Sequence, residues 1–300
     1  MPYRHALLAL LVVFIWGTNF VVIKVGLGVF PPFLFAALRF AFCALPLVFF
    51  VPRPSLALPT IAGYGALQGI GMVGLMFLAM KRDISPGLAS LVIQVQVFLT
   101  IIASRVVFGE TVLPLQRLAL GLAAAAIGVI AWQSAMHASS TVTLWGLVLV
   151  LGAGACWAAL NIASRSFVGV NMFHLIVWSS VFAALALLAV SLLVEGWQAD
   201  ARALATFSVP SWGAVLWQSL ANTLLGFGVW AWLLGRHPAA SITPFALLVP
   251  VFGIITSAAM MGESLPGWKS AAVALLMLGL LANFHAARMK RRSALKAARG

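Results

Sequence analysis

The chain has 300 residues, 63% of them hydrophobic and only 8% charged, with a mean hydropathy of +1.11 and a net charge of +13. A soluble protein of this length needs a charged surface, and this composition cannot build one. The class that remains is an integral membrane protein, and the basic residues fall at segment ends, where membrane topology needs them, rather than in a nucleic-acid-binding patch.

A hydrocarbon core of about 30 Å takes roughly 20 apolar residues per helix. On that scale the fold class is an all-α polytopic membrane protein of ten spans, at about 6–26, 32–51, 60–80, 86–107, 112–132, 143–164, 171–194, 212–234, 240–261 and 267–286. Pro31-Pro32 separates the first two, and Pro52-Arg53-Pro54 ends the second. Lys81-Arg82-Asp83 ends the third, and Pro86 stands where the first turn of a fourth tolerates it. Residues 137–143 form the longest polar stretch and divide two halves; 195–210 separates spans seven and eight. Residues 1–25 have the outline of a secretory signal, with Arg4 ahead of an apolar run, but no small-residue cleavage site follows, so a retained helix is expected. Cys43 and Cys156 lie inside apolar runs at no metal-binding spacing and are expected as small core hydrophobes.

With the N-terminus in the cytoplasm and ten crossings, 12 of the 18 Lys and Arg fall on the cytoplasmic side, five fall outside, and Arg39 lies within span two. Half of those 12 come from the C-terminal tail.

One stretch occurs twice. Residues 89–110 and 240–263 both open on Ala-Ser and close on Gly-Glu, with Ser104 and Ser257 each six residues before that Glu. A period near 150 residues is duplication of a whole half. Trp16 and Lys24 are eight apart, as are Trp157 and Arg165, and Asn19 and Asn161 follow the tryptophans closely. The division expected is 1–136, 137–288 and a basic cytoplasmic tail, 289–300. Five spans carry the chain from one side to the other, so the second half enters inverted, an arrangement typical of secondary transporters.

The run Trp16-Gly17-Thr18-Asn19-Phe20-Val21-Val22-Ile23-Lys24, then Pro31-Pro32, Arg39-Phe40, the 89–96 stretch and Phe108-Gly109-Glu110 resemble the first half of the EamA-type transporters of the drug/metabolite transporter superfamily. Trp157, Ala240-Ser241, Pro250 and Gly262-Glu263 resemble the same domain again. The resemblance covers nearly the whole chain and is similar, within the family, to bacterial amino-acid and metabolite exporters. It implies ten helices, cytoplasmic termini, an inner-membrane location, a central cavity between the halves, and export of a small molecule by alternating access. Cargo varies among family members. Drugs, nucleosides and sugar derivatives are alternatives to amino acids, and a passive channel is the alternative of a different class. One departure is plain: span seven carries no Arg-Phe pair to mirror Arg39-Phe40.

Polar groups facing lipid are costly, so mid-span polar residues are expected toward the bundle interior. The candidates for substrate contact are Trp16, Asn19, Arg39, Gln68, Gln94, Phe98, Trp157, Asn161, Gln218 and Asn222. The same amides serve equally as glue between helices. On a regular helix Gln94 and Gln96 are about 200° apart, so only one faces a cavity; Gln94 is favoured because it shares a face with Phe98 and Ile101. Trp145, Trp197, Trp212 and Trp268 lie at span ends, as an aromatic belt requires. An amide-and-aromatic cavity suits a zwitterion with a small or apolar side chain.

The acidic residues are Asp83, Glu110, Glu195, Asp200 and Glu263, all at span ends or in loops. No carboxylate relay is expected inside the membrane. Glu110 and Glu263 are expected to favour the positive end of the helix that follows each. Arg39 has no carboxylate near it in sequence, which leaves a substrate carboxylate or span-end carbonyls as its partners. The chain carries no His-Glu-x-x-His and no Gly-x-Ser-x-Gly, so neither an enzyme nor a metal or other cofactor is expected. Pro244 and Pro250 bend span nine, and Gly65-x-x-x-Gly69 fits a helix contact in span three. Spans three, four, eight and nine are expected as moving gates, with alanine-rich span five and span ten as support or an oligomer contact.

Overall fold

A computed structural model of the chain describes residues 2–45, 47–136, 142–206, 208–237 and 239–297. The helices run in order as Tyr3–Gly26 (α1), Pro32–Ala44 (α2), Leu58–Arg82 (α3), Pro86–Phe108 (α4), Pro114–Met136 (α5), Leu144–Ser166 (α6), Met172–Val194 (α7), Trp197–Ala205 (α8), 209–236 (α9), Val249–Met261 (α10) and Gly267–Ala297 (α11). Among the described residues the only pairing of extended backbone is one antiparallel bridge, Ile84 to Val142. Nine helical stretches there are long and apolar enough to cross a membrane, and α9 adds another of comparable length. Leu193, Val106 and Phe50, all more than three-quarters exposed, are what a lipid-facing perimeter needs. The molecule is an all-helical polytopic membrane protein.

Most expected span limits hold to within a few residues, because the signals that set them are local; α2 ends at Ala44 rather than near 51, the regular helix of span nine begins at Val249 rather than 240, and α11 runs on to Ala297 rather than stopping near 286. Pro32 and Pro86 start their helices where a missing N–H costs nothing. Gly109 and Gly262 end α4 and α10 in the left-handed conformation, at φ 67° and 64°. The Gly of each Gly-Glu pair is therefore a helix stop. Helix α8 was not expected; it lies in the polar interval 195–210 with Trp197 outward and Asp200 buried, held by the Ser191 hydroxyl at 2.9 Å. The dividing stretch 137–141 and the side chains of the basic tail 290–300 lie outside the described residues.

The halves share irregularities. The middle of α3, Leu67–Gly74, is π-helical, and so is Trp217–Leu225 in α9. Helix α4 is interrupted at Ile93–Gln94, and α10 is preceded by a tighter 3-10 turn, Thr243–Leu248, that contains Pro244. Wide and tight turns of this kind recur at functional positions. Gly65 and Gly69 do face α7, against Ser179 and Ala183.

Helix α1 crosses α10 at close range. A Cβ on Gly17 would stand 2.5 Å from Phe252 Cβ and 2.7 Å from the Val249 carbonyl. Gly17→Val is therefore expected to lose roughly 1–3 kcal/mol by overpacking. Gly121→Ala, whose added carbon meets nothing within 4 Å, is expected to hold or raise stability. Thermal unfolding of the two variants in detergent checks the pair.

Charged groups cap helices at the loops. Lys24 donates to the carbonyls of Met80 (2.8 Å) and Lys81 (3.1 Å), the C-terminal end of α3. Glu195 accepts the amides of Phe33 (2.9 Å) and Leu34 (3.1 Å) at the start of α2.

Candidate functional site

A cavity of about 420 Å³ lies between the halves. Its walls come from α1 (Trp16, Asn19, Phe20, Ile23), α2 (Arg39), α3 (Met72, Val73, Met76, Phe77), the interrupted part of α4 (Ile93, Gln94, Gln96, Val97), α6 (Trp157) and α9 (Asn222, Phe227). The turn before α10 adds Thr243, Ala246 and Leu247, and α11 adds Leu280, Asn283, Phe284 and Ala287. Span ten, expected as support, thus forms part of the wall, with α5 packed behind it through Gln116, whose amide reaches Asn283 at 3.3 Å.

Of the residues singled out in the sequence, Trp16, Asn19, Arg39, Gln94, Trp157 and Asn222 line this cavity. Gln218, Asn161, Gln68 and Phe98 do not, each for a different reason. Gln218 is fully buried one layer back and bridges two wall residues, accepting from Arg39 and donating to Asn19. Asn161 donates to Gln96 (2.9 Å) and Thr100 (3.1 Å), so it holds Gln96 in the wall. Gln68 accepts from Ser179 of α7 at 3.3 Å and is interhelical glue. Phe98 is 2% exposed and belongs to the apolar core with Ala119 and Leu276.

Gln96 was set aside because a regular helix turns it away from Gln94. The interruption at Ile93–Gln94 breaks that geometry, and both glutamines face the cavity. Asn283 and Met72 carried no signal in the sequence that set them apart from core residues.

The polar heart of the site is Arg39, 7% exposed. Its Nη1 donates to Gln218 Oε1 at 3.0 Å and its Nη2 to Thr223 Oγ1 at 3.3 Å, while the buried Nε has no partner. Gln218 Nε2 donates onward to Asn19 Oδ1 at 2.7 Å. Neither ion pair among the described residues, Arg165–Glu110 and Lys269–Glu263, involves Arg39. No Asp or Glu is in the cavity wall. A guanidinium in a low-dielectric pocket with neutral partners alone is poised for an anion. One side of the pocket is aromatic: Trp16, anchored by its Nε1 to the Asn222 carbonyl at 3.1 Å, packs on Trp230 (5.1 Å) and Phe227 (5.3 Å). Among the described residues no three His, Cys, Asp or Glu side chains converge as a metal site requires.

Outside the cavity wall, Glu263, in the turn between α10 and α11, reaches across to the start of α4. Its Oε2 accepts the Gly87 amide at 2.9 Å and the Ser257 hydroxyl; its Oε1 accepts the Ser85 hydroxyl and Lys269 Nζ, the latter at 2.9 Å. Burial alone would raise the Glu263 carboxyl, but hydrogen bonds from Ser257, Ser85 and Lys269, with the charge of Lys269, outweigh it and hold the group below its ordinary range. The expectation that Glu263 serves the helix following it is thus corrected: its backbone partner is α4, 176 residues away in sequence. Glu110, its counterpart in the first half, pairs instead with the exposed Arg165, which lies 4.5 Å over the Phe108 ring. The cavity wall itself continues to Phe284 and Ala287, late in α11. At the start of α1, His5 Nδ1 lies 2.6 Å from His237 Nε2.

The chain matches the EamA-like transporter family twice, over residues 4–132 and 144–284. It is 39% identical over 296 residues to the "Probable amino-acid metabolite efflux pump" of Salmonella typhimurium, covering 97% of this chain and 98% of that one. It is 34% identical over 295 residues, at the same coverage, to the protein so named in Escherichia coli K12. The "Uncharacterized inner membrane transporter YedA" of Escherichia coli K12 is 25% identical over 277 residues, 88% of this chain and 85% of that one. A crystal structure of a protein 19% identical superposes with a TM-score of 0.59, covering 94% of this chain and 97% of that chain, so the fold is shared.

Proposed function

This chain belongs to the EamA-like transporter family, and we propose that it exports amino acids or closely related small metabolites across the bacterial inner membrane by alternating access. It is a transporter by family, not an enzyme. In this reading ten spans cross the bilayer, both termini are cytoplasmic, and two five-helix halves, 1–136 and 137–288, face opposite ways ahead of the basic tail. The paired π-helical segments in α3 and α9 support the repeat.

One observation carries the cargo reading: a buried guanidinium with neutral partners only, set in an aromatic cavity of amino-acid size between the halves. Arg39 takes the substrate carboxylate. Asn19, Gln94 and Asn222 address its polar groups, Trp16 and Trp157 its apolar part, and Gln218 positions Arg39 and Asn19. A phosphorylated sugar or nucleotide would call for several basic residues, and among the described residues Arg39 is the one cation in the wall. The Glu263 clamp supports a carrier over a channel, because it ties the turn before α11 to the start of α4 by a buried ion pair and hydrogen bonds that a gate can make and break. In this reading α3, α4, α9 and α10 form the gates of the cycle, with the clamp as one closed gate.

Proteoliposomes loaded with unlabelled amino acids and given labelled ones outside, with no ion gradient, test this. Saturable counterflow is expected, weakened at least several-fold by Trp16→Ala or Asn19→Ala. Non-saturating flux would mean a pore, and silence until a proton gradient is imposed would remove the uncoupled reading.

A further inference from the structure

We infer that the cargo carries one net negative charge: a carboxylate with an apolar side chain whose amine is acylated or absent, in preference to a free zwitterionic amino acid. This rests on the export function proposed above and names the substrate class of the same site. Among the described residues the cavity wall offers one full charge, Arg39, and no carboxylate to receive an ammonium. A zwitterion would neutralise Arg39 and bury its own ammonium against neutral groups, where a charge without a counter-ion is heavily disfavoured.

Three of the neutral acceptors already carry a donor. Asn19 Oδ1 accepts from Gln218, Gln96 Oε1 from Asn161, and the Asn222 carbonyl from Trp16. Gln94 and the Asn222 side chain present amides to the cavity. An amide is the natural partner of an acylated amine, which brings one N–H and one C=O, and a poor partner of an ammonium with three donors and a charge. The Arg39 Nε, buried without a partner, adds a donor for a carboxylate oxygen. Ile23, Met72, Val73 and Met76 line the apolar remainder.

The test is counterflow in proteoliposomes of three labelled compounds with one side chain: N-acetyl-L-methionine, L-methionine and L-methioninamide. The N-acetyl anion is expected to exchange at least tenfold faster than the zwitterion, and the cationic amide not at all. Asn19→Asp places a carboxylate on the Gln218 bridge to Arg39 and is expected to cut the ratio of N-acetyl to free methionine at least tenfold. Asn222→Asp serves as the second variant where the first does not fold. Methionine exchanging as fast as its N-acetyl form, or faster, overturns the inference and leaves amino-acid export standing. A preference that neither Asp variant moves also overturns it, since charge would not be its cause. Exchange of none of the three overturns the export reading, and the inference with it.

Discussion

Arg39→Met is expected to slow counterflow of the carried carboxylate by about a hundred-fold while leaving the protein folded. A buried charge-assisted pair that loses one partner costs roughly 2–5 kcal/mol, and about 3 kcal/mol is a factor of about 150 in affinity. One buried acceptor, Gln218 Oε1, loses its donor, at a cost of about 1–3 kcal/mol, and the other partners keep theirs. Gln218 keeps its bond to Asn19, and the Thr223 hydroxyl keeps the Gln218 carbonyl at 2.7 Å. The substitution also removes a buried cation that has neutral partners only, which offsets that cost, so its melting temperature is expected to stay close to that of the parent. Arg39→Lys retains the charge without the planar fork and is expected to fall between the two, at about a tenfold loss. Exchange kinetics and thermal unfolding on the same preparations separate binding from stability. An Arg39→Met protein that transports at the parent rate removes the carboxylate role.

Glu263→Gln is the second large effect, and it acts on the contact between the α10–α11 turn and the start of α4. Lys269 is 1% exposed, and once the carboxylate is gone it is left with neutral acceptors, the Ser264 carbonyl at 2.9 Å among them, and no counter-charge. Breaking a buried ion pair by removing one partner costs about 3–5 kcal/mol. That loss is expected as a lower melting temperature. It is also expected as increased labelling of a cavity cysteine, Met72→Cys in a Cys43→Ala, Cys156→Ala background, by an impermeant thiol reagent applied outside. Lys269→Met with Glu263→Gln removes both charges and is expected to recover most of the stability without re-forming the clamp. The pH dependence has a definite sign. The Glu263 carboxyl is held below its ordinary range when folded, so its contribution is complete above that range and is lost as pH falls through the lower folded value. Stability attributable to the clamp is expected to be flat from neutral to mildly acidic pH and to drop only in stronger acid.

The Gly-Glu pairs show how far the sequence could be read. Gly109 and Gly262 were markers of a repeat, and their left-handed φ explains why that residue recurs: each ends a helix. The glutamates beside them share position and not partner. Nothing within the local sequence indicates that Glu263 meets Gly87 while Glu110 meets Arg165. Arg39 was visible as a lone cation in an apolar span, but Gln218 and Thr223, its partners, come from the other half.

The sequence by itself determined the membrane class, most of the span limits, the duplication and the short list of interior polar residues. Those follow from composition and from signals within about 20 residues of each other: prolines at helix starts, glycines at helix ends and apolar runs matched to a bilayer. Only the tertiary structure decided which polar side chains meet the cavity. Facing arguments assume a regular turn per residue, and the chain departs from it at the sites that matter: the π-helical stretches 67–74 and 217–225, the interruption at Ile93–Gln94 and the 3-10 turn Thr243–Leu248. Each departure rotates the residues beyond it, which is why Gln96 joined the wall.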